Sequence, residues 1–186
     1  WRAEYQPSMA RIRDGGRGYV PLDDLHLENM HRVAAAFGVT APDGLNAAWE
    51  RLDPWPDVVP GLLAMKARRI VAPCSNGSSA LMTRLARWGG LPWDCILGAE
   101  IARDYKPKPE VYLASCAALR LAPGEVMMVA AHNDDLAAAR DAGLGTAFVP
   151  RPGEHGPDQV TDLGPEEDWD VVAADFRALA DRLGDA

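Results

Sequence analysis

Along this chain, short apolar runs alternate with stretches in which apolar residues recur every three or four positions, and the balance between the two patterns changes near Asp57. Before that point no convincing strand is present. Residues 1–13 read as a helix stopped by Asp14, Gly15 and Gly16. Residues 22–37 read as a second helix, with Leu22, Met30, Val33 and Phe37 on one apolar face. Asp23 or Asp24 is placed to cap it, and Gly38 follows as a terminator. Residues 42–52 read as a third, short helix. Asp53, Pro54, Trp55, Pro56 and Asp57 then make a proline-broken hinge.

After Asp57 the pattern predicts a helix over 58–67, a strand over 70–74, a helix over 79–88 and a short strand over 95–98. A helix over 109–119, a strand over 126–131, a helix over 136–142 ended by Gly143, and a strand over 146–149 follow. Residues 171–183 begin as a strand and close as a helix. Strands alternating with helices at this spacing imply parallel βαβ units with right-handed crossovers. The expected fold is α/β: a Rossmann-like, doubly wound parallel-sheet core over 57–186 with a small helical cap over 1–53. Residues 151–168, rich in proline, glycine and acids, read as a surface excursion.

Composition narrows the partners. Of 186 residues, 48% are hydrophobic and 25% charged, which suits one globular domain or a domain plus a cap. The formal net charge of −8 argues against nucleic acid as a partner, because a nucleic-acid binder needs a basic face. Cys74, Cys95 and Cys116 show no metal-ligand spacing and read as unpaired thiols of a reducing compartment. No apolar stretch is long enough to span a bilayer and no signal peptide opens the chain, so no membrane partner and a cytoplasmic location are the expectations.

The chemistry gathers where predicted strands end, the place where open parallel sheets bind ligands. The run 69–74 stops at Ser75, Asn76 and Gly77, which offer a hydroxyl, an amide and backbone N–H groups to an anion, although an ordinary helix cap uses the same residues. The run 126–131 stops at His132, Asn133, Asp134 and Asp135. Four polar groups directly after a buried strand are costly unless solvated, paired or used. Asp135 with His132 suits polarisation of a water; Asp134 with Asp135 suits Mg²⁺; a capping cluster is the plain alternative. Between the two runs, Pro107 keeps Lys106 out of a helix, so its ammonium leaves from a loop. Arg2, on the first helix, has only its fixed charge to recommend it. His26 and His31 read as surface or cap-packing residues, His155 gains no role, and the six tryptophans read as core and hinge packing.

Taken together, Trp1, Arg2 and Tyr5; Ile12 to Gly15; Leu22 to His26; Pro54 to Val58; Ser75 to Gly77; Tyr105 to Pro107; and Val129 to His132 with Asp135 and Leu136 resemble a type II (L-2-)haloacid dehalogenase of the haloacid dehalogenase-like (HAD-like) superfamily, along nearly the whole chain. The resemblance implies hydrolysis of short 2-haloacids to 2-hydroxy acids, with inversion, through an aspartyl ester, and with no metal or other cofactor. It implies that Arg2 receives the halide, that Ser75 and Asn76 hold the nucleophile and substrate, that Lys106 neutralises their charge with Tyr112 following it, and that Asp135 orients the hydrolytic water. His132 stands where some members carry asparagine, and Asp134 where an apolar or aromatic residue is more usual. The strand bearing the nucleophilic aspartate is expected upstream of Trp1. A homodimer is compatible with the family. Two other readings remain: a Mg²⁺-dependent phosphatase of the same superfamily, carried by Asp134 and Asp135, and a catalytically silent chain used for binding.

Overall fold

The computed structural model describes residues 1–184. The N-terminal part is helical. A 3₁₀ turn, Arg2–Glu4, leads into α1, Tyr5–Arg13, and then α2, Leu22–Ala36. In α2, Leu22, Leu25, His26, Asn29 and Met30 are buried at helical spacing. Pro21 precedes the first turn, and Asp23 and Asp24 lie within that turn, where they suit the helix dipole without capping it by side chain. Gly38 takes a left-handed φ of +65°, as its terminating role requires. Ser8 Oγ donates to Asn29 Oδ1 across 2.7 Å, a buried polar link between α1 and α2. The third expected helix is a 3₁₀ segment, Leu45–Glu50.

The remainder is an α/β arrangement of parallel strands and helices, as the alternating pattern implied. α3 (Val58–Lys66), β1 (Cys74–Ser75), α4 (Ser79–Gly89) and β2 (Leu97–Gly98) come first. They are followed by α5 (Ala99–Ala102), α6 (Pro109–Ala118), β3 (Met127–Ala130), α7 (Asn133–Asp141), β4 (Gly145–Phe148), β5 (Val171–Val172) and α8 (Phe176–Gly184). Every pairing is parallel. β1 lies against β2 with Ser75 opposite Gly98, and β4 sits between β3 and β5 with Ala147 opposite both Val129 and Val171. β3, β4 and β5 pack on α7 and α8 through Met128, Leu136, Phe148, Val149 and Leu179, all buried. The N-terminal helices share one cluster with the α/β part: Met9, Ile12, Leu22 and Leu25 meet Leu81, Met82, Ala99 and Tyr105.

Two expected elements differ. The strand over 70–74 forms ladder bonds only at Cys74–Ser75. Pro73 has no N–H to give, and Val71 is held by Asp94: its N–H donates to Asp94 Oδ2 at 2.9 Å and its carbonyl accepts from Asp94 N–H at 2.8 Å. The helix over 136–142 begins earlier, at Asn133, so both acids after His132 lie in its first turn.

Between the two sheets lies a groove of about 1010 Å³, lined by Val71, Ala72, Pro73, Cys74 and Ser75 on one side and Val126 to His132 on the other. Both walls are strand edges without a partner on that side among the described residues. No helix among the described residues is long and apolar enough to cross a membrane.

His26 is almost wholly buried, not at the surface, and stacks on Trp49 with ring centroids 4.4 Å apart. Neither ring nitrogen has a hydrogen-bond partner among the described residues, and burial lowers its pKa to about 4. The unfolded chain takes up this proton near pH 6.5 and the folded chain only near pH 4. Stability present above pH 6.5 is therefore lost as the pH falls toward 4, by up to about 3 kcal/mol. His26→Phe, which keeps an aromatic ring against Trp49, is expected to flatten denaturation midpoints over that interval. An unchanged pH slope would place the acid sensitivity elsewhere.

Candidate active site

The groove ends at a cluster of charged and polar side chains delivered by three segments. Arg103 closes α5 in a left-handed conformation, and the loop that follows carries Lys106. That loop is held from two sides. Lys106 N–H donates to Asn76 Oδ1 at 2.9 Å, and Arg13 of α1 donates to the Lys106 carbonyl at 3.0 Å. The Lys106 side chain then meets Asp135, with Nζ 2.5 Å from Oδ2. Tyr112, fully buried on α6, donates its hydroxyl to the other oxygen, Asp135 Oδ1, at 2.6 Å. Burial, reinforced by the Asp135 carboxylate, pushes the Tyr112 phenol far above its ordinary pKa, so it stays a donor across the physiological range. The Lys106 and Asp135 side chains keep only 17% and 14% exposure, so water weakens their attraction less than at the surface. A carboxylate oxygen accepts more than one bond, so Asp135 retains capacity toward a water in the groove.

Ser75 closes β1. Its hydroxyl accepts from Gly77 N–H at 2.9 Å, a local turn that aims the chain at the groove. The helix cap that the sequence suggested for Ser75 and Asn76 belongs to Ser78, whose Oγ accepts from Leu81 N–H at 3.0 Å. That frees Asn76 to hold the Lys106 loop. Gly98, opposite Ser75, has φ +117°, and a Cβ there would stand 2.2 Å from the Ser75 carbonyl oxygen. Only glycine lets β2 approach β1 this closely.

Ser75, Lys106, His132 and Asp135 all line the groove. Asn76 and Tyr112 join them through Lys106 and Asp135, whereas Asn133, Asp134 and Arg2 do not line the groove. Asn133 is buried and spends its side chain on the excursion: Nδ2 donates to Asp162 Oδ1 and the Gly164 carbonyl, and Oδ1 accepts from Glu166 N–H and Trp169 Nε1. It is an anchor for that loop. Asp134 is exposed and Asp135 is already paired with an ammonium, so the two do not form a ready pair of Mg²⁺ ligands. Arg2 is exposed, with its guanidinium 4.5 Å over the Tyr5 ring. Lys108, the neighbouring lysine, is more open to solvent and lies 3.7 Å from Asp104, one turn back in the loop.

Several contributors escaped the sequence reading. Glu154 sits against His132, its carboxylate oxygens 3.1 and 3.2 Å from Nε2. This hydrogen bond raises the His132 pKa, against the opposing effect of burial. Asp57, read only as hinge, binds Arg151 through two bonds of 3.0 and 2.8 Å and accepts from Phe176 N–H at 2.8 Å. It thereby fixes the start of the excursion. Burial raises the Asp57 pKa, but these bonds outweigh it and hold the carboxyl below its usual range. Glu154 lies in a glycine- and proline-rich loop, and no local pattern marks which strand end that loop returns to.

The model of the haloacid dehalogenase-like hydrolase family matches residues 9–143, and the chain belongs to that family. It is 32% identical over 114 residues to (S)-2-haloacid dehalogenase 4A of Burkholderia cepacia, a match covering 60% of this chain and 49% of that protein. The chain thus spans about half the length of the curated relatives it matches. Among solved structures, the defluorinating L-2-haloacid dehalogenase Rha0230 is 49% identical with a TM-score of 0.96, covering 99% of this chain and 78% of that one. The L-2-haloacid dehalogenase PA0810 is 46% identical with a TM-score of 0.96, covering 100% of this chain and 82% of that one.

Gly98→Ala is expected to destabilise the fold by on the order of 3 kcal/mol, from left-handed strain plus the clash at Ser75. Gly124, which has open space around its Cβ position and an ordinary φ, supplies the control: Gly124→Ala is expected to be nearly silent. Equal denaturation midpoints for the two variants would mean that β1 and β2 relax apart at no cost.

Proposed function

We propose that this chain serves hydrolytic dehalogenation of short 2-haloalkanoic acids to 2-hydroxy acids. The observation that carries the reading is the Lys106–Asp135–Tyr112 network at the end of a groove whose two walls are parallel-strand edges unpaired among the described residues. A groove of that form suits one more extended segment. An aspartate at the carboxyl end of such a strand, upstream of Trp1, would meet the Lys106 ammonium. The high similarity to two L-2-haloacid dehalogenases supports the substrate class.

In this mechanism the aspartate carboxylate attacks C2 of the haloacid in line. The carbon–halogen bond breaks, the halide leaves with its electron pair toward Arg2, and C2 inverts. Lys106 offsets the negative charges of nucleophile and substrate, and Ser75 and Asn76 orient them. A water oriented by Asp135 then attacks the carbonyl carbon of the ester. One of its protons passes by way of Asp135 to the departing alkoxide oxygen, which leaves as the hydroxyl of the 2-hydroxy acid. The original carboxylate returns after the remaining proton is shed. His132, held by Glu154, lines the same groove as Asp135. The fixed charges of Lys106 and Arg2 do the electrostatic work, so the reading calls for no metal or cofactor. The phosphatase alternative is less well supported, because Asp134 faces solvent and Asp135 is committed to Lys106.

Supplied with a strand that ends in such an aspartate, the chain is expected to release chloride from L-2-chloropropionate in EDTA. Phosphate release from a small phosphate ester that depends on Mg²⁺, with no chloride release, would sink the reading. In the same form Lys106→Ala is expected to lower turnover by on the order of 100-fold or more. Lys108→Ala is expected to be close to wild type, and the reverse order would shift the functional lysine by two residues.

Asp135→Asn separates the two half-reactions. Displacement survives while water activation fails, so the alkylated ester accumulates. Mass spectrometry after substrate addition should show a stable adduct on the nucleophile peptide. Rapid turnover without an adduct would remove Asp135 from its role.

A further inference from the structure

We propose that His132, Glu154 and His155 form a binding site for one divalent transition-metal ion of the zinc, nickel or copper type, at the mouth of the groove. One ligand atom from each residue lies within 4.8 Å of the other two. Ligand atoms held about 2.0–2.2 Å from a common ion stand up to roughly 4 Å apart, so a small closure completes the set. The two imidazole planes are within 8° of parallel with centroids 6.1 Å apart, and the Glu154 carboxylate already rests 3.1 Å from His132 Nε2. The donors are two imidazoles and one carboxylate. That mixture suits zinc, nickel and copper, whereas Mg²⁺ and Ca²⁺ take oxygen ligands.

The supports on either side are defined. His132 lies directly between β3 and α7. Glu154 and His155 belong to a turn in which Glu154 N–H donates to the Arg151 carbonyl and Gly156 N–H to that of Gly153, at 3.1 and 3.0 Å. Arg151 is itself anchored to Asp57. His155 N–H also donates to Gln159 Oε1, at 3.3 Å. The negative charges of Asp134 and Asp162 act on His132 and favour a cation, while the positive charge of Arg2 acts on Glu154 and opposes one. Glu154 and His155 are exposed, so an ion here keeps positions open to water. The site uses neither Lys106 nor Asp135. His132 is common to both places, so an ion at this site draws that imidazole away from the groove.

The test is a titration of the chain with zinc chloride alone, followed in the histidine side-chain proton–carbon spectrum. One equivalent is expected to move the ring signals of His132 and His155 and to leave those of His26 and His31. His155→Ala and Glu154→Gln should each weaken binding by on the order of 10- to 100-fold with an unchanged circular dichroism spectrum. His155→Cys, which replaces one zinc ligand with another, should retain binding and guards against a folding defect in the alanine variant. A millimolar excess of Mg²⁺ should not displace the ion. Absence of saturable binding, equal affinity in the Ala and Gln variants, or ring shifts at His31 in place of His132 and His155 would each overturn the proposal.

Discussion

The contact on which the rest of this structure depends is the ion pair between Lys106 and Asp135, braced by Tyr112. It joins a loop, α6 and α7, three segments that no strand ladder connects. Each partner is prepared separately. Asn76 and Arg13 fix the Lys106 backbone, burial in α6 fixes Tyr112, and the first turn of α7 fixes Asp135. With little solvent access, an ammonium paired in this way keeps a fixed charge at the groove's end without reorganising when substrate charge changes. The same arrangement explains why two adjacent acids behave differently. Asp135 has both oxygens engaged, whereas Asp134, one position earlier on the helix, faces water.

The groove imposes the second constraint. β1 and β3 each have one paired edge and one edge turned to the groove. Parallel edges flanked by apolar side chains pair readily with a further extended segment. The short extent of β1 follows from the same geometry. Among the described residues, Val71 and Pro73 find backbone partners only around Asp94 and Leu97, and none on the groove side completes a ladder.

Much of this was legible in the sequence because it rests on local rules. The alternation of strands and helices after Asp57, the glycine terminators, and the polar residues at strand ends all follow from neighbours in the chain. Pro107 put Lys106 on a loop, but it was the resemblance of its surroundings to the family's lysine motif that singled it out from Lys108. What could not be read depends on contacts across long separations. Glu154 reaches His132 from a loop without periodicity, Arg13 reaches the Lys106 carbonyl across 93 positions, and Asp57 reaches Arg151 across 94. Asn133 shows the opposite error. Its place in a polar motif suggested chemistry, yet its whole hydrogen-bonding capacity goes to Asp162, Gly164, Glu166 and Trp169. Of the two readings open for His26, surface or packing among the N-terminal helices, the structure takes the second; no spacing rule anticipates a buried imidazole whose ring nitrogens have no partner among the described residues.

The central claim is that the Lys106–Asp135 cluster serves a carboxylate that becomes esterified and is then freed by water attacking the ester carbon. A single turnover in H₂¹⁸O, with enzyme in excess over 2-chloropropionate, tests it most directly. The account predicts that the heavy oxygen enters the protein's nucleophilic carboxylate and is absent from the 2-hydroxypropionate released in that turnover. Heavy oxygen in the product hydroxyl, with none in the protein, would show that water attacks C2 directly and would contradict the account.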